Sequence, residues 1–241
     1  RDGVYSSTLV MFLVSIAIGT LCGMLVGLII AKGGVQPIIA TLGMCNIYRG
    51  ATYIVSNSAW VSAYQFQSSF KEFAQTNTLN NLVFITLVCY IVFFVVMKWT
   101  TFGRRIYAVG SNPEAAAVSG IRISRIRFFV YTIAGAFAGL TGAMYTALYA
   151  SAMSDMGAGM EMDAIASCVL GGVSLNGGQG SVVGVLLGSL TMAVICKALP
   201  LIGISQFWKD AIKGAIILVA IIVNVIVRRA MDRNTLKVRE I

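Results

Sequence analysis

The chain is a succession of apolar runs, most of them as long as a bilayer crossing, separated by short polar stretches where the basic residues gather. A helix needs about 20 apolar residues to cross the hydrocarbon core. Runs of that kind occupy residues 7–31, 37–55, 79–99, 128–148, 181–201 and 212–227, the second broken by Asn46 and Arg49. A further run, 163–172, is apolar but too short to cross unaided. Lipid offers backbone groups no hydrogen-bond partners, so such runs must satisfy their own amides as helices. Composition agrees: 58% of the residues are apolar, 11% are charged, and mean hydropathy is +0.84. Soluble proteins carry about 25% charged residues and need them to stay dissolved. The expected fold class is therefore all-α, a polytopic transmembrane helical bundle forming a single domain over 1–241.

Lysine and arginine set the orientation, because they accumulate in cytoplasmic loops. The basic loop 98–127 carries Lys98, Arg104, Arg105, Arg122, Arg125 and Arg127. The tail 228–241 carries Arg228, Arg229, Arg233, Lys237 and Arg239. Both belong in the cytoplasm, with Lys32. The polar loop 56–78, and the stretch with Asp155 and Glu161, belong outside. Between the two basic regions the chain must cross an even number of times, yet only three full-length runs lie there. The short run 163–172 must supply the missing crossing, as a broken helix shielded by protein. Seven crossings result, with the N-terminus outside.

Several function classes fall away at this point. The chain has no histidine, and its five cysteines, Cys22, Cys45, Cys89, Cys168 and Cys196, sit singly in apolar runs. Zinc sites of the usual ligand types and histidine-based triads are thus excluded. The net charge of +9 flanks apolar runs and has no interleaved aromatics, so it reads as orientation in the membrane and not as a nucleic-acid surface. The chain opens Arg1-Asp2-Gly3, with no signal-peptide pattern, and this start reads as internal to a longer protein.

Small residues recur at four-residue spacing: Gly19, Gly23 and Gly27; Gly135 and Gly139; Gly180, Gly184 and Gly188. Such stripes let helices approach closely in lipid. Packing inside one protomer and a subunit interface both fit.

Two motifs carry mechanism. The first runs from Gly103 to Ile121. Asn112 suits an N-cap, Pro113 the first helical position, and Glu114 the positive helix end. Alanines follow, among them Ala115 and Ala116, and then Ser119 and Gly120, the latter where a C′ residue belongs. This predicts a helix of about two turns on the cytoplasmic surface. A helix that short needs something to hold it, either the membrane domain or a partner. The second motif starts at Glu161. Asp163 can cap a helix over 164–170, after which Gly171, Gly172, Gly177, Gly178 and Gly180 free the backbone. Broken helices expose backbone polar groups to substrate in transporters, although a tight packing turn uses the same glycines. Asp163, Ser167, Asn176 and Gln179 are its polar candidates for a substrate pathway. Asn46 and Arg49 are those of the second run, where an intramembrane arginine either faces a cavity or snorkels to the interface. Gly178-Gln179-Gly180 is not a nucleotide loop, since its third glycine is out of register and no strand precedes it.

The first motif resembles the cytoplasmic coupling run of bacterial ABC-importer permeases for ribose, xylose, arabinose and galactose, within the branched-chain-amino-acid-like permease superfamily. Arg104, Ile106, Tyr107, Ala108, Gly110, Asn112, Ala115, Ala116, Ser119, Gly120 and Ile121 match it. The second motif, from Glu161 through Gly180, is similar to a further run of the same permeases. The resemblance covers nearly the whole chain, with about three spans of the family, of about ten, missing before Arg1. It implies an alternating-access permease whose short helix, with Arg104, Tyr107, Gly110, Asn112, Pro113, Glu114, Ala115, Ala116, Ser119 and Gly120, meets a separate ATP-binding subunit. The cofactors implied are ATP and Mg on that ATPase and none in this chain. The implied partners are the ATPase, a second permease subunit (a copy or a paralogue), an extracytoplasmic sugar-binding protein and membrane lipid. The implied location is the bacterial inner membrane, with the C-terminus in the cytoplasm. An ion-coupled transporter would bury more acidic groups than Asp163, and an enzyme would cluster carboxylates or metal ligands. A non-transporting assembly subunit remains the alternative.

Overall fold

The computed structural model describes residues 8–62 and 78–201 and, beyond them, isolated positions between 203 and 222. The expected tail 228–241 and most of the loop 56–78 lie outside the described residues, as does the span 212–227 apart from isolated helical positions. Among the described residues there are eight helices: α1 Thr8–Gly33, α2 Pro37–Ser56, α3 Thr78–Trp99, α4 Thr101–Ser111, α5 Pro113–Val118, α6 Ile123–Tyr149, α7 Met160–Leu170 and α8 Val182–Leu201. The only pairing of extended backbone described is one antiparallel bridge, Val61 with Ala152. The chain is an all-α polytopic membrane protein.

Among the described residues four helices are long and apolar enough to cross a membrane, namely α1, α3 over Asn81–Trp99, α6 and α8. At about 1.5 Å per residue, the 26 residues of α1 reach about 39 Å. Their large side chains point outward: Leu13 and Leu21 of α1, Phe84 and Leu87 of α3, and Leu187 and Val194 of α8 are all exposed. In water so much apolar surface would drive aggregation; in lipid it costs nothing, and cohesion must come from close packing. α2 is 20 residues long but carries Asn46, Tyr48, Arg49 and Tyr53, and it falls outside the four.

The described residues form two compact units, one within 1–89 and 114–156, the other within 90–113 and 157–241. In the first, α1 lies along α6. A Cβ built on Gly23 would stand 2.5 Å from the Tyr131 carbonyl oxygen, and one on Gly135 would stand 2.6 Å from the Gly23 Cα. The obstacles are backbone, so no side chain can swing aside. Ser15 Oγ donates to the Gly139 carbonyl at 2.7 Å, and Ser124 Oγ to that of Ala31 at 2.8 Å. Two of the glycine stripes are therefore one interface inside the protomer. α2 sits against α1 through Val26, Ile30 and Ala40, and Tyr48 donates to the Cys22 carbonyl at 2.7 Å.

In the second unit, α7 and α8 form a hairpin. A Cβ on Gly188 would stand 2.6 Å from the Gly171 amide nitrogen, and Gly171 and Gly184 meet backbone to backbone. The third stripe is thus consumed internally as well.

Two expectations are corrected. The stretch 98–127 holds more helix than the two-turn segment expected there: α3 runs to Trp99 and α4 follows almost at once. Thr100 makes this joint. Its Oγ1 donates to the Val96 carbonyl at 2.6 Å and accepts from the Gly103 amide at 3.2 Å, capping α4. A Cβ on Gly103 would stand 2.6 Å from the Val96 carbonyl oxygen, so only glycine permits so sharp a turn. The other correction concerns Asp163. It does not cap its helix, which begins three residues earlier at Met160, after Gly159 at φ 85°. Glu161 and Asp163 both lie in the first turn, where the helix end favours negative charge.

Candidate functional site

α5 begins at Pro113 and ends before Gly120, as its sequence predicts. Asn112 has extended backbone (φ −151°, ψ 101°) and closes α4 by donating its amide to the Ala108 carbonyl at 3.1 Å. The chain turns there into Pro113. At the other end Gly120 takes φ 78°. Its amide donates to the Ala117 carbonyl at 2.9 Å, and the Ile121 amide to that of Ala116 at 3.0 Å. This pair is a Schellman motif, which a Cβ at Gly120 would strain. Ser119 Oγ donates to the Ala115 carbonyl at 2.9 Å.

The helix has two different sides. Ala116 is buried, at 4% exposure, so the protein itself holds that face. Glu114, Ala115 and Ser119 are exposed. So is Val118, at 91%, a residue the sequence reading did not single out. The available signal was a lone branched apolar residue among alanines, in a segment with basic residues on both flanks. Arg104, Arg105, Arg122 and Arg125 are exposed.

Other residues of the motif face inward within the second unit. Tyr107 Oη donates to the Gly180 carbonyl at 3.0 Å. A Cβ on Gly110 would stand 2.5 Å from the Gly178 amide nitrogen. The two motifs that read as separate in sequence are thus in contact through α4 and the glycine turn.

That turn follows α7 directly. The helix stops at Leu170, and residues 171–181 are irregular, as expected of a broken helix. The Ser174 amide donates to the Gln179 carbonyl and the Gly177 amide to that of Ser174, both at 3.0 Å. Gly177 and Gly178 take φ of 90° and 74°, where side chains are strained. Among the polar candidates here, Asn176 and Gln179 are exposed and Asp163 is half-buried. Ser167 turns its hydroxyl back onto the Asp163 carbonyl at 2.7 Å.

Asn46 and Arg49 belong to the first unit. Asn46 is exposed and donates Nδ2 to the Leu42 carbonyl at 3.2 Å. Arg49 is half-buried and lines a cleft of about 410 Å³ with Thr41, Met44, Cys45, Tyr48 and Thr52 of α2, Val26 of α1, and Met153, Ser154 and Met156. Ser154, one of the lining residues, shares a 2.7 Å hydroxyl–hydroxyl bond with Ser56. Arg49 is thus one of the residues lining this cleft, where the Thr41 and Thr52 hydroxyls donate to backbone carbonyls of α2.

Residues 3–221 match the family described as branched-chain amino acid transport system / permease component. Ribose import permease protein RbsC of Bacillus subtilis (strain 168) is 38% identical over 200 residues, 82% of this chain and 62% of that protein. Its namesake in Escherichia coli (strain K12) is 35% identical over 226 residues, 92% of this chain and 70% of that protein. Galactose/methyl galactoside import permease protein MglC of Escherichia coli (strain K12) is 38% identical over 216 residues, covering 87% and 64%. The chain spans 62–70% of the length of these curated relatives. No solved structure matches.

Proposed function

The chain belongs to the branched-chain amino acid transport system permease-component family, and from that premise we propose that it is the membrane subunit of an ATP-binding-cassette importer for a pentose, a hexose or a similar polyol. Relatives named for ribose and for galactose import support the solute class. The single observation that carries the coupling role is α5, closed by a Schellman motif, anchored by Ala116 and presenting Val118 outward. An apolar side chain at 91% exposure, on a short helix flanked by arginines, is free to enter a partner's groove. In this reading a separate ATPase holds ATP and Mg and docks on α5 from the cytoplasm. Its closure on ATP moves the spans between outward-open and inward-open states. A second permease subunit, a copy or a paralogue, lines the other half of the path, and an extracytoplasmic binding protein delivers the solute. The complex resides in the bacterial inner membrane with the C-terminus in the cytoplasm. Arg49 and the α2 cleft lie on the solute's route, with Asn46; Asp163, Ser167, Asn176 and Gln179 mark it in the second unit.

The test is Val118→Glu in the full-length permease, co-expressed with its ATPase. The expected result is normal membrane abundance, with co-purified ATPase reduced at least tenfold. Wild-type recovery of the ATPase would remove α5 from the docking surface.

A further inference from the structure

We propose that the contact between α4 and the glycine turn 174–180 is the mechanical link that carries motion from the cytoplasmic segment into the broken-helix hairpin α7–α8. Three observations carry it. The contact is made by backbone: a Cβ on Gly110 would stand 2.5 Å from the Gly178 amide nitrogen and 3.0 Å from its Cα, and one on Gly177 would stand 2.8 Å from the Gly110 carbonyl oxygen. Backbones this close cannot slide past one another as side-chain interfaces do, because nothing between them can change rotamer. The contact is also tied at its rim. Tyr107 Oη donates to the Gly180 carbonyl at 3.0 Å, and Ser111 Oγ to the Gly178 carbonyl at a longer 3.4 Å. Finally, the turn is continuous with a stiff hairpin. It is closed on itself by the Ser174–Gln179 and Gly177–Ser174 bonds, and α7 and α8 are locked by Gly171 and Gly188.

A displacement of α4 therefore drags the turn, and with it the C-terminal end of α7 and the start of α8. Tyr107 and Gly110 act as positioning residues. They belong to the segment that meets the ATPase, but both face the glycine turn. The inference rests on the reading that α4 and α5 form the ATPase-facing segment, and it adds the route by which movement leaves that segment.

The experiment uses the full-length permease with its ATPase and binding protein in proteoliposomes. Every native cysteine, including the five of this chain, is replaced by alanine and one reporter, Asn176→Cys, is added on the exposed side of the turn. The probe is a maleimide, and its labelling rate is read with and without ATP plus vanadate. In the parent protein the rate is expected to change at least threefold between the two states. An unchanged rate would overturn the proposal, since the turn would then not respond to the ATPase. Gly110→Val should reduce the response to less than 1.5-fold while the ATPase still co-purifies. Tyr107→Phe adds no bulk and removes one hydrogen bond; it should at least halve the response, and it decides the matter if Gly110→Val inserts poorly. A parental response in a Tyr107→Phe protein that keeps its ATPase would sink the link. Loss of ATPase co-purification from the parent protein would instead count against the coupling reading itself.

Discussion

Gly135 offers the sharpest test of what holds the first unit together. A Cβ at this position would meet the Gly19 carbonyl oxygen and would stand 2.6 Å from the Gly23 Cα, with the Gly23 nitrogen at 2.8 Å. Ordinary carbon–carbon contact lies at about 3.5–4.0 Å, so Gly135→Ala must push α1 and α6 apart by about 1 Å. Gly142, two turns further along α6, has nothing within 4 Å of such an atom. Both substitutions gain the same helix propensity, so it cancels in the comparison. What remains is overpacking, typically about 1–3 kcal/mol. At about 2 kcal/mol the folded-to-unfolded ratio falls roughly thirtyfold. The assay is denaturant unfolding of the full-length permease in detergent micelles, with Gly135→Ala and Gly142→Ala run side by side. Equal midpoints would refute the idea that backbone contact between α1 and α6 is what stabilises this pair.

The remaining predictions are briefer. A single cysteine at Ser111, in an otherwise cysteine-free permease, should label only from the cytoplasmic face in spheroplasts and inverted vesicles; labelling from outside would reverse the topology. Arg49→Met should keep the protein in the membrane but cut uptake of the transported solute at least tenfold, with Arg49→Lys falling between, because a lysine keeps the charge and loses the planar fork of donors. Unchanged uptake in Arg49→Met would take the α2 cleft off the solute's path.

What was legible in the sequence was local chemistry. The bounds of α5 could be read because Pro113 and Gly120 act within a few residues of where they stand. Five of the full-length runs became helices close to the expected bounds for the same kind of reason. Propensity argued against α4, which holds both Gly103 and Gly110 within 11 residues. Its helix exists because those glycines are demanded by neighbours, Gly103 by the end of α3 and Gly110 by the glycine turn. Tertiary packing overrode propensity there. The glycine stripes announced close approach but not partners. Nothing local in Gly19 or Gly23 says that α6 lies against them, more than a hundred residues away. Asp163 misled because two plausible first-turn acids lie close together, and the choice of start was made by Gly159 upstream. The cleft beside Arg49 depends on α1 and on 153–156, so no window of α2 could disclose it.

The two faces of α5 also decide how its alanines must be tested. A paired Ala115→Glu, Ala116→Glu change would confound two effects, because only Ala115 is exposed. Ala116 is 4% exposed, and its carbonyl accepts the Ile121 amide at 3.0 Å inside the C-terminal cap. A carboxylate there would be buried without a partner and would sit near the negative end of the helix, and both features oppose it. The cost of such a burial is several kcal/mol, of the same order as the roughly 5–15 kcal/mol that keeps a domain folded. Val118, at 91% exposure, also lies at the negative helix end, but there water screens the charge, so Glu should cost only about 0.3–1 kcal/mol. The expected pattern is therefore opposite in the two single variants. Ala116→Glu lowers the amount of permease in the membrane, with whatever survives misshapen at α5. Val118→Glu leaves abundance intact and loses the ATPase. Fluorescence-detected size exclusion of tagged permease measures the first, and affinity co-purification measures the second. Full abundance of Ala116→Glu would mean that α5 can swing its inner face to solvent, and the argument that the protein itself anchors this helix would fail.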